Sequence, residues 1–188
     1  MSIQKHVAIL LADGFEEIEA VAAIDVLRRA GLEVCVIAVA GGPVQGSHGL
    51  ALHVDARLAE CMHRTFDAVV LPGGMPGSQN LASSHEVLAL LKRTYEAGGI
   101  VAAVCAAPIA LHAAGLLAGK HVTSYPSVAG ALTGAIHTGR RVEVDGRIVT
   151  GQAAGSAIEF ALAVVTALGL PEKAKAAHDA MLVGAPVK

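Results

Sequence analysis

The residue best suited to chemistry in this sequence is Cys105, which follows the apolar run 100–104 and precedes the small residues Ala106 and Ala107. This pattern predicts a sharp turn from a strand into a helix, where small neighbours let the backbones approach closely and the central residue is strained. Amides and the positive dipole at a helix N-terminus favour a thiolate, so we expect the pKa of Cys105 to fall below about 8.5. The sequence thus predicts a nucleophile, although a buried structural cysteine shows the same pattern.

A glycine-rich segment, residues 71–77, follows a second predicted strand and contains Gly73 and Gly74. Glycines expose backbone amides and allow a close approach, as a pocket that stabilises an oxyanion requires. A phosphate-binding loop and a simple tight turn are the alternatives. The GxGxxG and GK[ST] spacings are missing from the sequence, which disfavours nucleotide binding.

Three glutamates follow the first predicted strand. Glu16 and Glu19 are three residues apart and share one face of the predicted helix, so we expect one of them to point into the pocket while Glu17 stays in solvent. A carboxyl group beside a thiolate has a raised pKa and can donate a hydrogen bond to the sulfur. The alternative is that these acids are present only because the helix dipole favours them.

Strands and helices alternate along the chain. Predicted strands cover residues 6–12, 33–39, 44–45, 50–54, 67–71, 100–104, 122–124, 141–144 and 147–150, and predicted helices cover 15–30, 84–97, the segment from Cys105 through His112, 156–168 and 171–181. Asp145-Gly146 is the predicted turn between the last two strands. Alternation predicts a mostly parallel sheet with ligands at its carboxyl edge. We therefore expect an α/β fold: a flavodoxin-like (Rossmann-like) sandwich with helices on both faces and a small β-hairpin, forming one domain over residues 1–188.

Composition excludes several classes of protein. The chain has 188 residues, 54% hydrophobic and 3% aromatic, which suits a sheet covered on both faces by helices. A net charge of −2 offers no basic surface for nucleic acid. No apolar stretch is long enough to span a bilayer, and the opening residues are interpreted as a strand rather than a leader. We expect a cytosolic protein that binds neither membranes nor nucleic acid.

The cysteines and histidines give no metal-site pattern. The three cysteines are an odd number without a CxxC pair, which suits a reducing compartment, and the nine histidines are scattered without an HExxH motif. We therefore expect no metal and no cofactor. Cys35 is predicted to be inert core, Cys61 to be partly exposed, and His48 and His137 to lie at the surface.

Five segments, ADGFEEIEAV (12–21), VVLPGGMPGSQNL (69–81), VAAVCAAPIAL (101–111), VTSYP (122–126) and AAGSAIEFALAVV (153–165), run through nearly the whole chain. Together they resemble the ThiJ/PfpI superfamily, and in particular the branch of the Parkinson-disease-associated protein deglycase and bacterial YajL. The resemblance implies that Cys105 is the reactive, easily oxidised cysteine. It also implies that Glu19 hydrogen-bonds the sulfur and stabilises a sulfinate.

The resemblance extends to the surroundings of the cysteine. It implies that Gly73, Gly74 and the amide of Ala106 are the backbone donors around the sulfur. Members of this branch are typically homodimers with the first helix near the interface, and Asp25 matches a carboxylate that lies near the partner's site.

Two positions depart from family patterns. Tyr125 stands where the Parkinson-associated member has a histidine near the cysteine, and a neutral phenol cannot act as an imidazole base. Some bacterial relatives also carry an aromatic residue there, so Tyr125 is expected to line the site without forming a Cys–His dyad. Ala106 stands where the protease members have a histidine directly after the cysteine, so we predict no protease activity.

The leading hypothesis is a cysteine-dependent enzyme for methylglyoxal, glyoxal or glycated protein and nucleotide groups. Cys105 would attack the aldehyde, backbone amides would stabilise the alkoxide, and Glu16 or Glu19 would move the proton between carbons. The product would be lactate or glycolate without added glutathione. The alternative is a redox-responsive chaperone or oxidative-stress sensor that works through oxidation of Cys105. An isocyanide hydratase or a thiamine-pathway enzyme shares the fold and elbow, but nothing in the sequence specifies a thiazole site.

Overall fold

A seven-stranded sheet lies at the centre of the computed structural model, which describes residues 4–184. In chain order the strands are β1 (His6–Leu11), β2 (Glu33–Ala38), β3 (Val44–Gln45), β4 (Ala51–Leu52), β5 (Ala56–Arg57), β6 (Ala68–Leu71), β7 (Ile100–Val104), β8 (His121–Val122), β9 (Ile136–His137), β10 (Val142–Asp145) and β11 (Ile148–Gly151). The α-helices are α1 (Glu17–Arg29), α2 (Leu58–Cys61), α3 (Gly77–Ser83), α4 (His85–Glu96), α5 (Pro108–Ala113), α6 (Ala157–Ala167) and α7 (Pro171–Ala180). None of these helices has the length and apolar character needed to cross a membrane.

The sheet order places the chemistry-bearing segments side by side. The order is β10-β11-β7-β6-β1-β2-β5, and neighbouring strands are parallel except in the β10–β11 hairpin. The order reverses between β1 and β6, because the chain moves from β1 to β2 on one side and from β6 to β7 on the other. Doubly wound sheets bind ligands at the carboxyl edge beside such a switch point. The predicted mostly parallel α/β sandwich with a small hairpin is confirmed.

Alternate residues of β1 enter two apolar clusters on opposite faces of the sheet. Val7, Ile9 and Leu11 pack with α1, α6 and α7, whereas Ala8 and Leu10 pack with helices α2 to α5. All five side chains are fully buried. Burial on both faces explains why the central strands are continuous apolar runs in the sequence. This two-sided packing fixes the strand ends that carry the candidate site.

Three local features differ from the sequence prediction. Helix α1 begins at Glu17, because Glu16 has extended backbone and serves as its N-cap. The hairpin turn falls one residue later than predicted: Asp145 pairs with Ile148. The Asp145 carboxylate accepts hydrogen bonds from Lys120 Nζ at 3.0 Å and from the His121 N–H at 2.9 Å. Helix α3 was not predicted, since its sequence has little apolar periodicity. It is held by packing on α5.

Candidate active site

Cys105 lies at a strained turn between β7 and α5. Its backbone φ is +61°, a region that non-glycine residues rarely adopt. Two hydrogen bonds hold this conformation: the Cys105 N–H donates to the carbonyl of Gly151 at 2.9 Å, and the N–H of Tyr125 donates to the Cys105 carbonyl at 2.8 Å. The Cys105 side chain is only partly buried. The structure therefore presents a thiol at the carboxyl edge of the sheet on a fixed backbone.

Glu19 is buried beside this thiol. It lies in the first turn of α1 and is 1% exposed, and its Oε2 accepts a hydrogen bond from the N–H of Gly73 at 2.7 Å. Its Oε1 is buried and has no hydrogen-bond partner among residues 4–184. The carboxyl group and the Cys105 thiol are close enough for each to shift the pKa of the other. Glu19 therefore has one anchored oxygen and one that is free to exchange a proton.

The ionisation of Glu19 and that of Cys105 disfavour each other. Burial raises the pKa of Glu19 to about 7, and the Gly73 amide and the neighbouring Cys105 thiol only partly oppose this shift. Burial, together with the negative charge of Glu19, raises the pKa of Cys105 to about 12. The predicted lowering of the thiol pKa is thus wrong for the state in which Glu19 is ionised. Glu19 therefore loses its proton first, near neutral pH, and its charge then keeps the remaining proton on the Cys105 thiol.

Gly73 and Gly74 let the backbone of residues 71–77 approach the thiol and the Glu19 carboxylate closely. A side chain at Gly73 would collide with Glu19 Oε2 and with Cys105, and Gly74 has a φ of +91°. Of the three backbone donors implied by the resemblance, the amides of Gly74 and Ala106 face the sulfur and stabilise the thiolate. The amide of Gly73 instead donates to Glu19, because that carboxylate lies between it and the thiol. Two amides therefore remain for a developing oxyanion.

Of the pair Glu16 and Glu19, only Glu19 reaches the site, and Glu17 differs from the prediction. Glu16 does not point into the pocket from the helix face: its Oε2 caps α1 by accepting from the Glu19 N–H at 2.7 Å. Glu17, expected in solvent, is 6% exposed. Its carboxylate accepts hydrogen bonds from the loop between β3 and β4, including His48 Nδ1 at 2.9 Å and Ser47 Oγ at 3.3 Å. Burial raises the pKa of Glu17, but the bonds from His48 outweigh it and lower the pKa to about 2.

Ligand atoms of Glu16, Glu17 and His48 lie within 4.8 Å of one another. A carboxylate–carboxylate–imidazole group is a set that divalent cations accept. Here, however, both oxygens of Glu17 already accept hydrogen bonds from His48 and Leu50. We call these contacts between Glu17 and the loop the clasp, and their role is structural.

The remaining predicted residues occupy the rim or lie elsewhere. Tyr125 contacts the elbow through its backbone, and its side chain is exposed. Asp25 lies two turns along α1 from Glu19, where it forms an ion pair with Arg29 at 2.5 Å. His137 is exposed, as predicted, and its Nε2 lies 3.0 Å from the buried Ser124 Oγ. No local pattern predicts that contact, because it joins β9 to a loop thirteen residues earlier in the chain.

The other two cysteines are not part of this site. Cys35 lies in β2, which is separated from β7 by β1 and β6. It is half-buried rather than fully buried. Cys61 is 1% exposed, so the prediction of partial exposure is wrong: α2 turns its side chain into the apolar cluster below it.

A parallel sheet with a strained cysteine at a strand-to-helix elbow, and a buried glutamic acid beside the thiol, defines a class of α/β proteins built for cysteine chemistry. The chain belongs to the DJ-1/PfpI family, whose model matches residues 5–167. It is 39% identical to Drosophila melanogaster protein dj-1beta over 96% of this chain and 98% of that one. The crystal structure of Drosophila DJ-1beta superposes with a TM-score of 0.93 at 38% identity, covering 97% of this chain and all of the other.

A further relative carries an activity in its name. The Caenorhabditis elegans protein named glutathione-independent glyoxalase DJR-1.2 is 36% identical to this chain over 92% of its length and 94% of the relative's. These relatives also confirm the predicted family and its flavodoxin-like fold.

Proposed function

We propose that this protein is a glutathione-independent glyoxalase of the deglycase type, in which Cys105 attacks the aldehyde carbon of methylglyoxal or glyoxal. The observation that carries the proposal is the contact between Cys105 and the buried Glu19, whose pKa of about 7 suits a group that takes up and releases a proton near neutral pH. The relative named a glyoxalase supports the same class of activity.

The first step forms a hemithioacetal. The Cys105 sulfur bonds to the aldehyde carbon, the carbonyl electron pair moves to oxygen, and the thiol proton passes to the Glu19 carboxylate. The amides of Gly74 and Ala106 lie beside the sulfur. They stabilise the negative charge that develops on the oxygen until Glu19 passes the proton to that oxygen and becomes a carboxylate again.

The second step moves a proton between carbons. Glu19, again a carboxylate, removes the proton from the carbon bonded to sulfur, which gives an enediolate. Glu19 then delivers that proton to the neighbouring carbon, and the hydroxyl proton moves to the oxygen on that carbon, which leaves a lactoyl thioester on Cys105. Water then hydrolyses the thioester and releases lactate and the free thiol, so that methylglyoxal and one water give lactate. Of the two candidate shuttles, Glu19 is favoured because its Oε1 is unpartnered and an oxygen of Glu16 is occupied by the cap of α1.

Glycated groups extend the same chemistry. The adduct of methylglyoxal with a thiol, amine or guanidine carries the same hydroxylated carbon beside a ketone as the enzyme's own hemithioacetal. We propose that Cys105 attacks that carbon in adducts on protein or nucleotide groups, that the bond from the carbon to the thiol, amine or guanidine breaks, and that the released group takes up the Cys105 proton through Glu19. Free methylglyoxal released by the adduct must be trapped separately, so that deglycation is distinguished from glyoxalase turnover.

The test is glutathione-free turnover of methylglyoxal, measured as lactate. We expect Cys105→Ser to abolish turnover and Glu19→Gln to reduce it about 10²- to 10⁴-fold, the usual contribution of a general base. Cys35→Ser is the matched control and should retain the wild-type rate. Full turnover by Cys105→Ser would overturn the proposal.

A second candidate is a sensor or redox-responsive chaperone. A protonated Glu19 beside Cys105 can donate a hydrogen bond to a sulfinate, which favours controlled oxidation at this thiol. Mild peroxide should then add two oxygens to Cys105 and protect the protein from further oxidation at that sulfur. If Glu19→Gln no longer keeps a stable sulfinate but turns over methylglyoxal at the wild-type rate, this function is favoured over the enzyme.

We further propose that the protein is a cytosolic homodimer. Four large apolar side chains, Ile18, Val21, Leu50 and Ile158, are 40–61% exposed, and they line one cavity beside α1. An exposed apolar patch of this kind supports a self-association surface. Light scattering should give a dimer mass for wild type and a monomer mass for Ile18→Asp, with Val144→Asp as the control at an exposed apolar position on β10.

A further inference from the structure

Two cysteines outside the candidate active site share one arginine. Arg64 Nη1 donates to Cys35 Sγ at 3.3 Å and to Cys61 Sγ at 3.9 Å. The two sulfurs are therefore separated by no more than the sum of these distances. Both side chains belong to the same apolar cluster, on one face of the sheet. They are brought together by the β2–β5 pairing, because α2 begins directly after β5 and ends at Cys61.

The two thiols differ in access. Cys35 is half-buried, whereas Cys61 is closed off from solvent. Arg64 is held in place between them: its guanidinium lies 5.1 Å from the centre of the Phe66 ring, and Arg93 Nη2 donates to its carbonyl oxygen at 2.9 Å. A fixed cation beside a reachable thiol and a sheltered second thiol is the arrangement of an attacking and a resolving cysteine.

We propose that Cys35 and Cys61 form a second redox site, in which a hydroperoxide converts the two thiols to an intramolecular disulfide while Arg64 holds both sulfurs. Deprotonated Cys35 attacks the peroxide, the O–O bond breaks, and water or an alcohol leaves as the sulfur becomes a sulfenic acid. Cys61 then attacks that sulfur, loses its proton and displaces a second water. Two thiols are oxidised by two electrons, and the peroxide is reduced by the same two.

The charges around Cys35 set the conditions for this reaction. Burial raises the pKa of the Cys35 thiol, the hydrogen bond and charge of Arg64 oppose that shift, and the nearby Cys61 and Asp55 add to it. The reaction rate should therefore increase with pH. Cys105 is separated from this pair by two strands, so the pair should oxidise whether or not the candidate active site turns over.

The experiment uses the full-length Cys105→Ser protein, so that the only thiols are Cys35 and Cys61. Hydrogen peroxide is added, and free thiols are counted after denaturation. We expect both thiols to disappear together, digestion without reductant to give one linked peptide pair lighter by two hydrogens, and dithiothreitol to restore both thiols. Replacement of either cysteine by serine should leave no linked peptide.

Arg64→Leu tests the part played by the guanidinium. We expect disulfide formation to slow about tenfold, because the Cys35 thiolate loses the cation that stabilises it, and Arg64→Lys to recover part of the rate. Circular dichroism identifies a variant that has lost its fold, and the Lys variant then serves alone. Oxygen added to either sulfur without a linked peptide, or a link between two chains, would overturn the proposal.

Discussion

Glu17 Oε2 and His48 Nδ1 lie 2.9 Å apart, and this contact ties the first turn of α1 to the loop between β3 and β4. The same carboxylate accepts from the backbone N–H groups of His48 and Leu50. A side chain at Gly46 would collide with it. Because Glu16 and Glu19 flank Glu17, this clasp also fixes the segment that carries the buried acid of the candidate site.

The clasp predicts a pH-dependent stability. The pKa of His48 is raised above 6.5 by Glu17, so its contribution is complete below that value and is lost as pH rises through the folded-state pKa. The pKa of Glu17 is lowered to about 2, so its contribution is lost as pH falls from about 4.5 toward that value. Groups that face His48 are Glu17, Glu16 and Ser47.

We therefore expect the melting temperature of wild type to exceed that of His48→Gln by the largest margin at about pH 5–6.5 and by a smaller margin at about pH 9. Thermal unfolding across that range measures the gap. His63→Gln is the control, since His63 is exposed and outside the clasp. A gap that stays constant or widens at high pH would contradict the assigned pair.

Glu19→Gln should change how the Cys105 thiol titrates. In wild type, the rate of alkylation by iodoacetamide should stay low as Glu19 ionises near pH 7 and should rise only as the pH approaches about 12. Without the carboxylate this rise should move to lower pH, because no ionised Glu19 opposes the thiolate. A rise at the same pH in both proteins would show that Glu19 is not the coupled group.

Gly73→Ala should damage both packing and chemistry. The added Cβ would lie 2.6 Å from Glu19 Oε2 and 2.7 Å from Cys105 Cβ, which demands a shift costing about 1–3 kcal/mol of unfolding free energy. The denaturant concentration at the midpoint of unfolding and the rate of lactate formation should both fall. Gly130→Ala is the matched control, because nothing lies within 4 Å of its added Cβ; similar behaviour of the two variants would contradict this account.

Local patterns in the sequence predicted the strands and the elbow, but not the polar contacts between distant segments. Cys105 was found because an apolar run followed by small residues is a local signal. Glu17 was placed in solvent because its partners lie about thirty positions away, in a loop whose path the sequence does not specify. The same limit explains why the Gly73 amide, expected to face the sulfur, instead donates to Glu19, which lies 54 positions away in the sequence. Side-chain ionisation was misjudged for the same reason, since it depends on those contacts.

Tyr125 should matter to the elbow through its backbone rather than its phenol. Its φ of −59° lies in the range of proline, but in Tyr125→Pro a ring carbon replaces the amide hydrogen and pushes the Cys105 carbonyl oxygen away. The Cys105 carbonyl would lose its partner and the elbow would shift, at a cost of about 3 kcal/mol or more in unfolding free energy, and lactate formation should fall. Tyr125→Ala keeps the N–H and should retain both stability and turnover. If the alanine variant loses turnover while the proline variant keeps it, the side chain rather than the hydrogen bond positions Cys105.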